Sequence, residues 1–171
     1  RQRQMCIRDS FLLCRLLVQY PASGCTVKRC HVANHKLNRE QENRMNKEKL
    51  IIREMKEGEE REIVKTGRRA FPAFEALFVE SPRMAMAAVY EDKIIGGIIY
   101  KFISSGGKRI AYISEAFVDP DYHGSGVGTK LYKETFCHIW DQGCDGMTAL
   151  VKDDNVAYWK LFMENGFKRA G

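Results

Sequence analysis

Residues 118–131 read Val-Asp-Pro-Asp-Tyr-His-Gly-Ser-Gly-Val-Gly-Thr-Lys-Leu. Pro120 closes the extended segment before them, and glycines at 124, 126 and 128 make a tight turn that opens a helix. The helix shows in the apolar face Val127, Leu131, Tyr132, Phe136, Ile139 and Trp140, with Gly143 placed to end it. A P-loop needs Gly-Lys followed by Ser or Thr, but Lys130 follows Thr129 and precedes Leu131. A dinucleotide fingerprint needs G-x-G-x-x-G, and the spacing here is G-x-G-x-G. The pattern that fits is a small-residue turn curling around an anion at a helix start. There the free N–H groups and the helix dipole favour a pyrophosphate.

Upstream, Leu50 to Met55 reads as a short strand and Gly58 to Ala70 as a helix, with acids in its first turn and Arg68-Arg69 in its last. Pro72 to Val79 is expected to form a second helix. Ala85 to Tyr90 and Lys93 to Ile103 read as a hairpin turning at Glu91-Asp92, and Gly96-Gly97 signals a bulge or a close backbone approach. Arg109 to Val118 is a further strand. Downstream, Met147 to Val151 is a strand and Ala157 to Glu164 a helix. The order β-α-α-β-β-β-α-β-α predicts an α/β (α+β) domain, a mixed, mostly antiparallel sheet flanked by helices.

The 171 residues carry 28 Lys+Arg, 22 Asp+Glu and six Cys, and 44% are hydrophobic, which excludes a wholly disordered or collagen-like chain. The charge is not evenly spread. Nine basic and three acidic residues before Met45 hold the whole net charge of +6, and Cys6, Cys14, Cys25 and Cys30 lie there too. Residues 45–171 are electrically balanced, which removes the basis for a nucleic-acid partner. Residues 1–10 (RQRQMCIRDS) resemble the in-frame translation of a transposase-adapter oligonucleotide, and are set aside as a sequence artefact. Residues 11–44 lack sustained periodicity and read as a translated upstream leader, expected to be disordered, with the natural start at Met45. Within the leader, Cys25, Cys30, His31 and His35 are metal-binding residue types, but the two pairs adjoin with no scaffold between them. No metal is expected. The apolar run Phe11 to Val18 is too short to span a membrane, and no membrane partner is expected. Cys137 and Cys144 are expected to be buried thiols in a reducing, cytoplasmic setting.

Val118-Asp119-Pro120-Asp121-Tyr122-His123-Gly124-Ser125-Gly126-Val127-Gly128-Thr129-Lys130-Leu131 resembles the acyl-CoA pyrophosphate motif of the GNAT family of N-acetyltransferases. Asn155 to Phe167 (NVAYWKLFMENGF) resembles that family's second signature. The resemblance covers essentially Leu50 to the end and implies the GNAT fold, with the family's last two strands expected to be missing after Gly171. It implies an acetyl-CoA cosubstrate and an amine acceptor, a small molecule or a protein, with a homodimer left open. The implied cofactor contacts are Phe117, Val118, His123, Gly124, Ser125, Gly126, Val127, Gly128, Thr129 and Asn155. A backbone N–H of Phe117 or Val118 would polarise the thioester carbonyl.

Two departures stand out. His123 replaces the family's Gln or Arg, and Phe162 stands where the family has a tyrosine that protonates the departing thiolate. Tyr158, one helical turn earlier, is the candidate replacement, and Glu115 the candidate base that takes the amine's proton. The expected activity is transfer of an acetyl group from acetyl-CoA to a primary amine. The alternative is a non-catalytic acyl-CoA-binding or regulatory module.

Overall fold

The computed structural model describes residues 13–17, 45–77, 79–152, 155–164 and 167–168. In chain order the elements are β1 (Leu13–Leu17), β2 (Leu50–Glu54), α1 (Glu60–Ala70), α2 (Ala73–Ala76), β3 (Ala85–Tyr90), β4 (Lys93–Ser105), β5 (Lys108–Val118), α3 (Val127–Asp141), β6 (Gly146–Lys152) and α4 (Val156–Glu164). The strands form one sheet in the order β1-β6-β5-β4-β3-β2. Every neighbouring pair is antiparallel except β5 and β6, which the crossover through α3 makes parallel. This is the mixed, mostly antiparallel sheet with flanking helices that the sequence pattern predicts.

Local chemistry explains most boundaries. Glu91 and Asp92 both take positive φ, 47° and 63°, as a two-residue hairpin turn requires. In α1, Glu60 and Glu62 open the first turn and Arg68 and Arg69 close the last, matching the helix dipole. The second helix is shorter than expected. Among the described residues of 72–79, only Ala73–Ala76 is helical.

Leu13–Leu17 lies within the stretch expected to be disordered, yet these five residues pair antiparallel with β6, from Leu13 opposite Lys152 to Leu17 opposite Thr148. The β6 edge facing away from β5 offers unpaired backbone groups, and a short apolar segment satisfies them. The Cys25–His35 constellation and Gly166 of the second signature lie outside the described residues.

Two apolar layers sandwich the sheet. On one face α3 and α4 pack Val127, Leu131, Tyr132, Phe136, Ile139 and Phe162 against Ile98, Tyr100, Ala111 and Ile113. On the other, Ile63 of α1 packs against Ala85, Ala87, Val89, Ile94, Ile99 and Phe117. Each fully buried large side chain contributes about 1.5–3 kcal/mol. Both readings of Gly96-Gly97 hold. The β3–β4 register shifts between Ala88 and Val89, and a Cβ on Gly96 would stand 2.9 Å from the Phe117 carbonyl oxygen.

A second shift falls between Ile99 and Tyr100, which pair with Glu115 and Ile113. Ser114 is the extra residue of this bulge, and its hydroxyl donates to the Ile99 carbonyl. Its effect on facing is direct. Ile113, Ala116 and Val118 contribute to the α3 layer, whereas Phe117 belongs to the α1 layer.

Candidate active site

Strands β5 and β6 pair only from Ile110–Gly146 to Ile113–Ala149. Beyond that point β5 runs on for five residues, and among the described residues no strand pairs with Ser114–Val118 on the β6 side, an edge that is open to that extent. Within a strand the N–H and C=O of one residue point to the same edge, and successive residues alternate. Asp119 N–H donates to Ile95 O at 2.8 Å, so Asp119 and Phe117 face β4. Ala116 and Val118 therefore face the open edge. Two bonds agree: the Tyr158 hydroxyl donates to Ala116 O at 3.0 Å, and His123 Nε2 lies 2.7 Å from Val118 O. Of the two candidate carbonyl-polarising donors, Val118 presents its N–H to the open edge and Phe117 does not. Phe117 instead fills the α1 layer, edge-on to Phe71 with ring centroids 6.0 Å apart.

The glycine turn follows. Asp119, 5% exposed, accepts from Asp121 N–H and caps a short 3-10 turn over Pro120–Tyr122. Gly124 and Gly126 take φ of 74° and 83°, the left-handed region where a side chain is strained. Gly126 is the N-cap of α3 and brings no side chain to its first turn, so the N–H groups of Val127, Gly128 and Thr129 have no intrahelical acceptor. Ser125 is buried with its hydroxyl given to Tyr122 O. Gly128 has φ in the ordinary range, and a Cβ there would meet only Val118 Cγ2, at 3.7 Å.

Two expected cofactor contacts are otherwise engaged. The His123 ring turns back to β5; since a carbonyl accepts, Nε2 carries the hydrogen, and the ring braces the turn against the strand. Asn155 caps α4, accepting Tyr158 N–H on Oδ1 at 3.3 Å and Trp159 N–H on its backbone oxygen.

The candidate acid reaches the open edge, and the candidate base lies on the opposite face of the same strand. Tyr158 comes from the α3–α4 side, and burial raises its hydroxyl above the usual tyrosine range, while the Tyr132 hydroxyl donates to it. A relay results, from Tyr132 to Tyr158 to Ala116 O. Phe162 is 1% exposed and packs edge-on to Tyr132 (5.4 Å) and Phe167 (4.6 Å), a purely apolar role. Glu115 shares its face with Phe117. Burial pushes its carboxyl above the usual range; the Glu80 backbone N–H opposes that and the Glu80 charge adds to it. Its Oε2 is buried without a hydrogen-bond partner.

Several features escaped the sequence reading. Cys137 is exposed and Cys144 half-buried, not buried thiols. His138 Nε2 lies 2.6 Å from Glu54 Oε1, joining the end of α3 to β2. Lys130, read only as a failed P-loop lysine, donates to Leu50 O at 2.7 Å and caps the edge strand. None of these contacts joins residues near in sequence, so no spacing signalled them. Among the described residues no three His, Cys, Asp or Glu side chains cluster as metal ligands, and no helix is long and apolar enough to cross a membrane.

A sequence profile described as the acetyltransferase (GNAT) family matches residues 50–167. The chain belongs to the GNAT family. Among relatives, this GNAT chain is 31% identical over 74 residues to a thialysine N-epsilon-acetyltransferase of Bos taurus, covering 43% of this chain and 44% of that protein. A thialysine N-epsilon-acetyltransferase of Sus scrofa is 30% identical over 70 residues, 41% of each chain. The matched stretch thus spans less than half the length of these curated relatives. The GNAT fold also superposes on a NatC complex bound to Gag peptide and CoA, with TM-score 0.60 and 19% identity, covering 72% of this chain and 87% of that one. A GNAT family acetyltransferase of Brucella melitensis in complex with acetyl-CoA gives TM-score 0.54 and 18% identity, covering 64% and 80%. At these identities the structural likeness shows the fold alone.

Proposed function

We propose that this GNAT chain is an N-acyltransferase that moves an acetyl group from acetyl-CoA to a primary amine by direct attack on the thioester. The observation that carries the reading is the Val118 N–H, turned to an open strand edge six residues before a glycine turn that leaves helix N–H groups without acceptors. In this reading the N–H groups of residues 124–129 hold the pyrophosphate. Val118 N–H polarises the carbonyl where negative charge develops in the transition state. The relatives' names and the CoA or acetyl-CoA bound to structural neighbours support the cosubstrate.

Glu115 is the proposed base. Its orphan Oε2 lacks a donor, and the ammonium of an incoming amine supplies one. The ammonium gives one proton to Glu115, the freed nitrogen lone pair forms the bond to the carbonyl carbon, the C–S bond breaks, and the nitrogen sheds its second proton to solvent as the amide forms. The thiolate then takes a proton from Tyr158, which burial keeps protonated at neutral pH and the Tyr132 hydroxyl can help to stabilise once ionised. Base and acid on opposite faces suit an amine arriving from one side and a sulfur leaving on the other. We place the reaction in the cytoplasm, a reducing compartment in which Cys137 and Cys144 persist as thiols.

One observation favours the non-catalytic alternative: Phe162, without a hydroxyl, fills the family's tyrosine position. Acetyl-CoA-dependent acetylation of a panel holding thialysine, an aminoglycoside and a peptide N-terminus separates the two. Product supports the acyltransferase. CoA binding without product on any amine supports the module, and absence of CoA binding overturns both.

A further inference from the structure

Arg69 closes the last turn of α1 and forks across the segment that precedes the glycine turn. Its Nη1 lies 3.1 Å from Asp119 Oδ2, and its Nη2 lies 3.1 Å from Asp121 Oδ2. The two carboxylates differ in setting: the Asp119 side chain is 8% exposed, the Asp121 side chain 73%. Asp119 is the hub. Its N–H is bound to Ile95 O on β4, its carboxylate caps Asp121 N–H, and its carbonyl accepts from Tyr122 N–H. Three of the bonds that fix where β5 ends and the glycine turn begins pass through this residue. A planar guanidinium spanning both aspartates holds the 3-10 turn at one orientation from outside, as a lysine point charge cannot.

The same helix end also grips β5 directly. Phe71 packs edge-on to Phe117, and a Cβ on Gly67 would lie 3.1 Å from the Phe117 ring. Glu115 sits on this face, two residues before Phe117. The last turn of α1 therefore touches the strand carrying the Val118 N–H and, through Arg69, the 3-10 turn that leads into the glycine turn.

We propose that Arg69 is a positioning residue for the cosubstrate: through Asp119 and Asp121 it sets the 3-10 turn, and thereby the orientation of the glycine-turn N–H groups toward the pyrophosphate. The inference rests on the acyltransferase reading and deepens it. A preset turn spares bound CoA the ordering cost, so Arg69 acts on affinity before it acts on chemistry.

The test measures CoA binding by calorimetry and, on the best amine of the panel, KM for acetyl-CoA and kcat. The variants are Arg69→Gln, Arg69→Lys, Asp121→Asn and the Arg69→Gln/Asp121→Asn pair. Arg69→Gln is expected to weaken CoA binding and raise KM for acetyl-CoA about fivefold with kcat nearly unchanged, and Arg69→Lys to fall between it and the parent. Because Arg69 acts through the aspartates, the pair should bind CoA no more weakly than Arg69→Gln alone. Additive losses in the pair would mean that Arg69 touches the phosphates itself and overturn the proposal. So would unaltered CoA binding in Arg69→Gln, or a loss confined to kcat. Should Arg69→Gln fail to fold, Arg69→Lys and Asp121→Asn decide by the same KM-against-kcat split. Failure of the parent protein to bind CoA would instead reject the acyltransferase reading.

Discussion

Tyr158 donates its hydroxyl hydrogen to the carbonyl of Ala116, 3.0 Å away, and so places the helix of the second GNAT signature against the open edge of β5. Tyr158→Phe removes that hydrogen and leaves the Tyr132 hydroxyl, which donates to it, buried without an acceptor. We expect a fall in kcat of about tenfold or more with KM for acetyl-CoA little changed, read by steady-state kinetics. Stability should drop by about 1–3 kcal/mol in urea unfolding. An unchanged kcat would remove Tyr158 from the reaction.

Glu115 titrates from a raised position, and the sign follows. The folded state holds this proton more tightly than the unfolded chain, so the contribution to stability is full below the ordinary glutamate range and is lost as pH rises through the raised value. Glu115→Gln should therefore stabilise the protein at neutral pH relative to acid. As the base, the parent's kcat/KM should rise with pH along a limb displaced above the usual glutamate range. In Glu115→Gln that limb should disappear, with the largest deficit above the raised Glu115 value and below the amine's own, where the parent's base is ionised and the amine cannot lose its proton unaided. Unfolding curves and a pH–rate profile check the two halves separately.

Gly128 should part binding from stability. Its φ is ordinary, and a methyl group would meet only Val118 Cγ2 at 3.7 Å, so Gly128→Ala should stabilise the first turn of α3 by about 0.5–1 kcal/mol. The same methyl crowds the N–H groups offered to the pyrophosphate, and CoA affinity should fall roughly tenfold by calorimetry. Gly126→Ala, at φ 83°, is expected to lose about 1–2 kcal/mol of stability as well.

The fork between Arg53 and Glu59 governs acid stability. Nη1 and Nη2 meet the two carboxylate oxygens at 2.8 and 2.7 Å, and this bonding to Arg53, helped by Lys56 N–H, lowers the Glu59 carboxyl to about 2. Its contribution is present above the ordinary glutamate range and lost as pH falls toward 2. Glu59→Gln should be roughly 1 kcal/mol less stable than the parent at neutral pH, with the difference closing as pH falls through about 2.

The sequence pattern carried the sheet of Leu50 to Val151 and its helices nearly residue for residue, because hairpin turns, helix dipole charges and apolar periodicity are all local. The Gly96-Gly97 pair signalled a contact whose partner, Phe117, only pairing could reveal. Leu13–Leu17 was illegible because its strand exists only against the β6 edge. Within the site, glycine spacing announces the turn, whereas the bonds that His123 and Asn155 make to backbone groups have no signature in spacing. The choice between Phe117 and Val118 depended on strand facing, which a bulge resets.

That bulge has a counting consequence. Ile113 and Val118 are an odd number of residues apart and still share a face, so Ser114 exchanges the odd and even positions of β5 partway along its length. Taking Ser114 out would restore one unbroken alternation between the paired end of the strand and its free end. Either the free end would then turn over, sending Phe117 outward and hiding the Val118 N–H against β4, or the paired end would lose Ala111 and Ile113 from the α3 layer. One surplus serine lets a single strand serve core packing at one end and an exposed backbone donor at the other.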